Sequence, residues 1–378
     1  MSEPKAEQDK AQQLGQVVVA RRVIEKMVRG ALQFPEIETG EALVGLVVPQ
    51  EGRPEPQIYV LETIPPGPAA VREWGMFAQG GDWQGDVLHW LHVNWEAVRV
   101  RRRGSYGRAL AAKWDAPLQH VGDWHKQPGA MIAPSSGDAR TARSLIADPE
   151  AGVAQLVAPI VTLYPLPSAP SASAVQAEMP EASSPAASLP ADMPSAAPNA
   201  LIELRPSEGW AVRIDFWYMS ARAKRFVPIV PRVWDNERLP TLPPIAWHLA
   251  RPTRFDREYA LLTEAGFQVD AVRWDADGRP PLEICFALYR PGSTGVVLLI
   301  TSADYPAQMP AVRLAPLVRV EKDEDMFERL YEASRALLPT ELPVWAWSAK
   351  HTLVELALHA EKVFAKQSGR PTRKPAEG

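Results

Sequence analysis

Cysteine is almost missing from this chain. A single thiol, Cys285, stands among 378 residues, so no intrachain disulfide can form. That usage fits a reducing compartment, and the cytoplasm is the expected location. Long apolar runs are missing too. No stretch approaches the ~20 apolar residues that span a bilayer, and residues 1–13 are polar and charged, without a signal-peptide core. Nor is there an excess of positive charge: 41 Lys and Arg face 45 Asp and Glu, a net charge of −4. A nucleic-acid binder would carry a basic face, and the one basic cluster, Arg99–Arg103, reads as a solvated turn. Neither nucleic acid nor membrane is an expected partner.

Proline is abundant, and much of it sits in one segment. Residues 165–200 are almost all Pro, Ala and Ser, which cannot bury enough apolar surface to offset their ordering entropy. They read as a disordered linker or insertion. The chain length suggests two domains. The first is expected over 14–164, with 201–235 returning to its sheet. A connector follows over 236–252, then a second domain over 253–367. Residues 1–13 and 368–378 read as tails.

Periodicity fills in the elements. Val23, Ile24, Met27, Val28, Ala31 and Leu32 put one apolar stripe on a helix over 21–33, ended by Pro35. Glu38 stands at the entrance of a buried strand ending at Val48. A helix over 82–98 carries His89 and His92 three apart, which read as ordinary half-buried residues because no third ligand lies near them in sequence. Strands are expected over 58–63, 118–124, 154–163 and 211–219, with 225–233 as hairpin partner of the last. Downstream, a helix over 256–265 precedes an antiparallel meander of three strands, 267–274, 282–289 and 295–302. Helices over 323–337 and 352–366 complete an α+β domain.

The chemistry gathers in Gly122–Asp138, where His125 and Asp138 flank Ser135. Imidazole and carboxylate are what zinc takes from a protein, and a catalytic site leaves one position open for water. A nearby hydroxyl could support an oxyanion. On this stretch alone, a hydrogen-bonded His and an Asp helix cap explain the residues equally well.

With Glu38 added, the first domain resembles the JAMM metalloproteases, also called JAB or MPN domains. Their pattern is a Glu before a Gly-rich strand, then His-x-His-Pro, then Ser-x-x-Asp. The matching pieces are Glu38-Thr-Gly-Glu-Ala-Leu-Val-Gly45, His125-Lys-Gln127-Pro128 and Ser135-Ser-Gly-Asp138. The resemblance implies a JAB/MPN-like mixed sheet flanked by helices, a Zn2+ ion held by His125 and Asp138, Glu38 as general base and Ser135 as oxyanion support. Two positions depart from the family. Gln127 stands where the second histidine ligand belongs. Four outcomes stay open for it: a weaker site, ligation by the Gln oxygen, recruitment of another residue such as His120, or a dead site kept for binding. Glu41 stands where the family usually has Gly.

The second domain resembles the ubiquitin-conjugating (E2, or UBC) fold. The pieces are the helix before the meander, Asp304-Tyr305-Pro306 running to Met309-Pro310, and Trp347-Ser348 leading to Thr352-Leu353. An active E2 carries a thiol between the last two pieces, and this chain has none there. Cys285 lies inside a predicted strand and reads as a small buried apolar residue. Together the resemblances imply a zinc peptidase or isopeptidase that processes or deconjugates a ubiquitin-like protein in a bacterial ubiquitin-like pathway, with an inactive E2-like domain for binding. The alternative is a catalytically dead scaffold that binds a ubiquitin-like protein or an E1- or E2-type partner.

Overall fold

The computed structural model describes residues 17–52, 55–79, 81–105, 114–127, 129–167, 189–223, 225–274, 282–293, 295–341 and 346–367. The expected tails, Pro128, Trp345, the turn at 275–278 and residues 168–188 of the Pro/Ala/Ser segment lie outside the described residues. The chain divides into two units, Met1–Leu242 and Pro243–Gly378, both mixed α+β. No helix among the described residues is long and apolar enough to cross a membrane.

The first unit runs β1 (Val17–Ala20), α1 (Arg21–Gln33), β2 (Thr39–Val48), β3 (Gln57–Ile64), β4 (Val71–Glu73), β5 (Met76–Ala78), α2 (Asp82–Ser105), β6 (Leu118–Lys126), α3 (Ser136–Ala147), β7 (Gln155–Pro165), β8 (Ala200–Arg205), β9 (Trp210–Ser220), β10 (Val227–Pro228) and β11 (Pro231–Trp234). Its main sheet has nine strands in the order β10-β9-β7-β6-β2-β3-β1-β11, with β8 also paired to β9. The sheet is mixed. β1 is parallel to β3 and β11, and β6 is parallel to β7, while β2 is antiparallel to both of its neighbours.

The apolar stripe of α1 is buried at Val23, Ile24, Met27, Val28 and Ala31. Each large member contributes ~1.5–3 kcal/mol by leaving water. Trp124 of β6 lies under this helix with its ring against Gly30, where a side chain would press on the indole. Strand alternation then turns His125 to the reverse face of the sheet. Gly122, at φ 140°, sits where a Cβ would collide with the Val157 carbonyl of parallel β7. The ladder between β2 and β6 slips by one residue beside it, between Leu43 and Val44.

Several expectations need correction. The 82–98 helix continues to Ser105, so the Arg99–Arg103 cluster is helical rather than a turn. Arg99 is held there by Glu96 at 2.6 Å and Asp115 at 2.9 Å. The hairpin β4–β5 went unnoticed because each strand has only three residues. The 225–233 segment splits: Val227–Pro228 pairs antiparallel with β9, but Pro231–Trp234 crosses to lie parallel beside β1. The described end of the Pro/Ala/Ser segment is ordered. Arg213, wholly buried on β9, donates to the Pro194 and Ser195 carbonyls at 2.5 and 3.2 Å and pairs with buried Asp215 at 2.7 Å.

The connector assignment shifts as well. Residues 236–242 belong to the first unit, where Arg22 binds Asn236 through its backbone N–H and the Pro240 carbonyl through its guanidinium. Residues 243–252 belong to the second. Trp247 is buried there, donates to Thr301 Oγ1 at 2.9 Å and packs on Tyr305 and Phe286.

The second unit runs α4 (Trp247–Ala250), α5 (Pro252–Glu264), β12 (Gln268–Trp274), β13 (Glu283–Tyr289), β14 (Gly295–Thr301), β15 (Ala311–Pro316), α6 (Met326–Ala333), β16 (Arg335–Ala336) and α7 (Leu353–Gln367). The antiparallel sheet has five strands, so the meander is wider than the three expected. Proline at its first turn lets α5 start earlier than the apolar pattern indicates. The 323–337 helix is shorter than expected, because Arg335 and Ala336 leave it to pair with β15. Three remote pieces meet at Glu258 of α5, which is fully buried. It accepts from Arg254 Nε at 2.6 Å, Tyr305 OH at 2.6 Å and the Leu353 N–H at 2.7 Å. Trp347 Nε1 donates to the Pro306 carbonyl at 2.8 Å.

Cys285 is 1 % exposed, within a cluster that includes Leu298, Ile300 and Ala315. Burial, with a smaller push from Glu283, raises its thiol pKa to about 12. A thiol so buried and so weakly acidic is a poor nucleophile. Iodoacetamide at mildly alkaline pH is therefore expected to leave the native protein unlabelled and to label its one cysteine only in denaturant. Labelling of the native protein at the rate of a free thiol would contradict this burial.

Candidate metal centre

Three segments bring the candidate residues together. His125 and Gln127 come from the end of β6, Ser135 and Asp138 from the start of α3, and Glu38 from the turn into β2. Ser135 is the N-cap of α3. Its backbone N–H donates to Asp138 Oδ2 at 2.6 Å, and the Asp138 N–H donates to Ser135 Oγ at 3.2 Å. This capping box corrects the sequence expectation of an N-cap at Asp138 or Ser136: the cap is Ser135, and Asp138 is the third helical residue. It does not exhaust the carboxylate, because Asp138 Oδ2 also lies 3.7 Å from His125 Nε2. The Ser135 hydroxyl accepts from Asp138 and keeps its own proton to donate elsewhere.

Gln127 is buried beside this pair. Its carboxamide satisfies its surroundings in one orientation. The nitrogen donates to the Met131 and Ala133 carbonyls at 3.0 and 3.2 Å, and the oxygen faces His125 Nε2 at 3.0 Å. Turned the other way, the nitrogen would reach Asp138 Oδ2 only at 3.4 Å, and the oxygen would face two carbonyls. We take the first orientation, since it pairs every polar group. The loop that supplies the two carbonyls is itself anchored, because Trp217 Nε1 of β9 donates to the Ile132 carbonyl at 2.9 Å.

The result is a triangle of His125 Nε2, the Gln127 amide oxygen and Asp138 Oδ2, with edges of 3.0, 3.4 and 3.7 Å. Donors at ~2.0–2.1 Å from a tetrahedral ion lie ~3.3 Å apart. The three atoms therefore fit one face of a divalent-metal site. Among the described residues no group of three or more His, Cys, Asp or Glu side chains is placed to hold a metal. The set reaches three only through the amide of Gln127.

Electrostatics follow the geometry. Burial pushes the His125 pKa down, against the pull of Asp138 and Asp123, which favours the neutral imidazole that a metal needs. Glu38 is raised above the usual carboxylate range by burial first and by the Asp138 charge second, with Lys126 opposing. Lys126 points to the α1 side, where Nζ donates to the Pro35 carbonyl at 3.1 Å. The β4–β5 hairpin closes over this end of the sheet. The Glu38 N–H donates to the Glu73 carbonyl at 3.0 Å, and Phe77 crowds Gly40 so closely that a Cβ there would meet its ring.

The other candidates lie elsewhere. Glu41 points to the α1 face and accepts from Thr63 Oγ1 at 2.6 Å and Trp124 Nε1 at 3.4 Å. His120 pairs with Asp123 at 3.2 Å and does not join His125 and Asp138. Instead it lines a cavity of about 240 Å³ with His89, His92, Leu88 and Val44. Sequence spacing missed this cluster because its members sit on α2 and β6. The hairpin, the Met131–Ala133 carbonyls and Trp217 were also missed, since backbone acceptors leave no side-chain signal.

No family model and no curated protein matches this sequence. Among solved structures the chain is similar to a protein from Desulfitobacterium hafniense known in solution. Identity is 12 % over 58 % of this chain and 94 % of that one, with a TM-score of 0.26. Likeness at that level carries no argument about fold or function.

Proposed function

We propose that the first unit is a JAMM-type, metal-dependent peptidase or isopeptidase acting on a ubiquitin-like protein. In this reading the second unit is an E2-like binding module without a catalytic cysteine. The observation that carries the proposal is the convergence of Glu38, His125, Gln127, Asp138 and Ser135, from distant parts of the chain, on one donor triangle with a carboxylate and a hydroxyl beside it. The meeting of α5, the Tyr305-Pro306 loop and the start of α7 at Glu258 supports the reading of the second unit.

His125, Asp138 and Gln127 would hold the ion, with zinc the metal that the resemblance implies. A bound divalent ion polarises the scissile carbonyl and acidifies water. Glu38 accepts a proton from the attacking water and returns it to the leaving amine as the C–N bond breaks. Ser135 donates a hydrogen bond from its hydroxyl to the oxyanion that develops on the former carbonyl.

A second reading, a non-catalytic scaffold for a ubiquitin-like protein or an E1-type partner, is favoured by Gln127 and by the burial of Cys285. One assay separates the two. A ubiquitin-like protein extended beyond its C-terminal glycine is expected to be cleaved by the full chain, with cleavage abolished by chelation and by His125→Ala. Tight binding of the fusion without cleavage at any metal loading would establish the scaffold instead.

A further inference from the structure

We propose that Gln127 is an oxygen ligand aimed by the Met131–Ala133 loop, and that this shifts the metal preference of the site from zinc towards harder divalent cations such as Mn2+. The inference rests on the peptidase-type reading of the centre but makes a separate claim about it. The starting point is the amide. Both of its N–H groups are taken by backbone carbonyls, at 3.0 and 3.2 Å, so its oxygen is held towards His125 and Asp138. Rotation would break both bonds and turn the amide oxygen towards two carbonyl oxygens. The Trp217 indole fixes the loop through Ile132, so the aim is set from β9, outside the centre itself.

The oxygen so held lies 3.4 Å from Asp138 Oδ2. Without a metal the amide oxygen accepts from His125 Nε2–H and Asp138 Oδ2 from the Ser135 N–H. Each oxygen keeps a further lone pair, so a divalent ion could take both together with the imidazole. The donor set is then one nitrogen and two oxygens. Imidazole favours zinc, whereas carbonyl and carboxylate oxygens suit manganese and magnesium. Replacing an imidazole by an amide oxygen weakens the hold on zinc more than the hold on Mn2+. The absolute order still favours zinc at equal free concentrations. What narrows is the gap, and with it the metal the site carries where zinc is buffered low.

The test is metal binding by the full chain, read without activity. Metal-free protein is titrated with Mn2+ by electron paramagnetic resonance and with Zn2+ by competition against a chromophoric chelator. Wild type is compared with Gln127→His, Trp217→Phe and His125→Ala. The zinc-over-manganese preference of wild type is expected to be at least about tenfold smaller than that of Gln127→His. Trp217→Phe should weaken Mn2+ binding ~10-fold, the low end for loss of a partner that orients a ligand, although it touches none of the donor atoms. Equal preference ratios in wild type and Gln127→His, with both metals bound and both lost in His125→Ala, would overturn the proposal and leave the metal centre standing. Failure of wild type and Gln127→His to bind either metal would overturn the centre and the proposal together.

Discussion

Glu38→Gln is expected to slow cleavage of a ubiquitin-like fusion by about 10²–10⁴-fold, the usual worth of a positioned general base. Folding and metal content should hold. The substitution keeps size and shape, and the backbone bond that fixes this residue, from its N–H to the Glu73 carbonyl, does not involve the side chain. What it removes is the capacity to take a proton. Burial and the neighbouring Asp138 hold Glu38 above the ordinary carboxylate range, which makes its anion a stronger acceptor than a solvated glutamate. Lys126 opposes the rise. The comparison is kcat/KM for the fusion, with metal content and melting temperature measured on the same samples. Equal rates for wild type and variant would remove Glu38 from the reaction.

Asp215→Asn carries the largest expected effect on stability, a loss of about 3–5 kcal/mol from stranding a buried cation. Arg213 and Asp215 face each other on β9 in a two-residue step, with both side chains almost fully buried and two contacts at 2.7 and 2.9 Å. An amide in place of the carboxylate can accept one bond but cannot balance the charge. For a unit of this size the loss corresponds to a fall in melting temperature on the order of 10 °C. Arg213→Met with Asp215→Leu removes both charges and should recover most of it. Recovery will be incomplete, because the Pro194 and Ser195 carbonyls lose their donor. If Asp215→Asn melts within about a degree of wild type, well inside the shift expected per kcal/mol, the pair is not the strut described.

The two variants sit at opposite ends of what could be read in advance. Glu38 could be singled out because the role proposed for it rests on a motif of residue types. Arg213–Asp215 was invisible, since two charges in a strand of alternating pattern read as a solvated face. Their burial follows from the docking of residues 189–199 over β9, which nothing in the Pro/Ala/Ser composition suggested. The same limit applies to Gln127. Its type and position could be named, but the orientation of an amide depends on carbonyls supplied by a loop and on a tryptophan from another strand.

By itself the sequence determined the local facts. The 3.6-residue stripe of α1, the alternation that separates Trp124 from His125 and the apolar strand around Cys285 all follow from short-range pattern. Backbone periodicity alone decides which side chains share a face. Tertiary structure decided the non-local ones. It laid β11 parallel to β1 and bent the β4–β5 hairpin over Glu38. It turned Glu41 away and brought His120 to His89 and His92 rather than to the donor triangle. It also gave Gln127 its direction. Residues Gly122–Asp138 supply the donor atoms of the proposed metal centre, and their geometry comes from strand pairing and a loop anchored by Trp217. Those long-range contacts form only when the whole sheet is assembled, so no window of the sequence contains them.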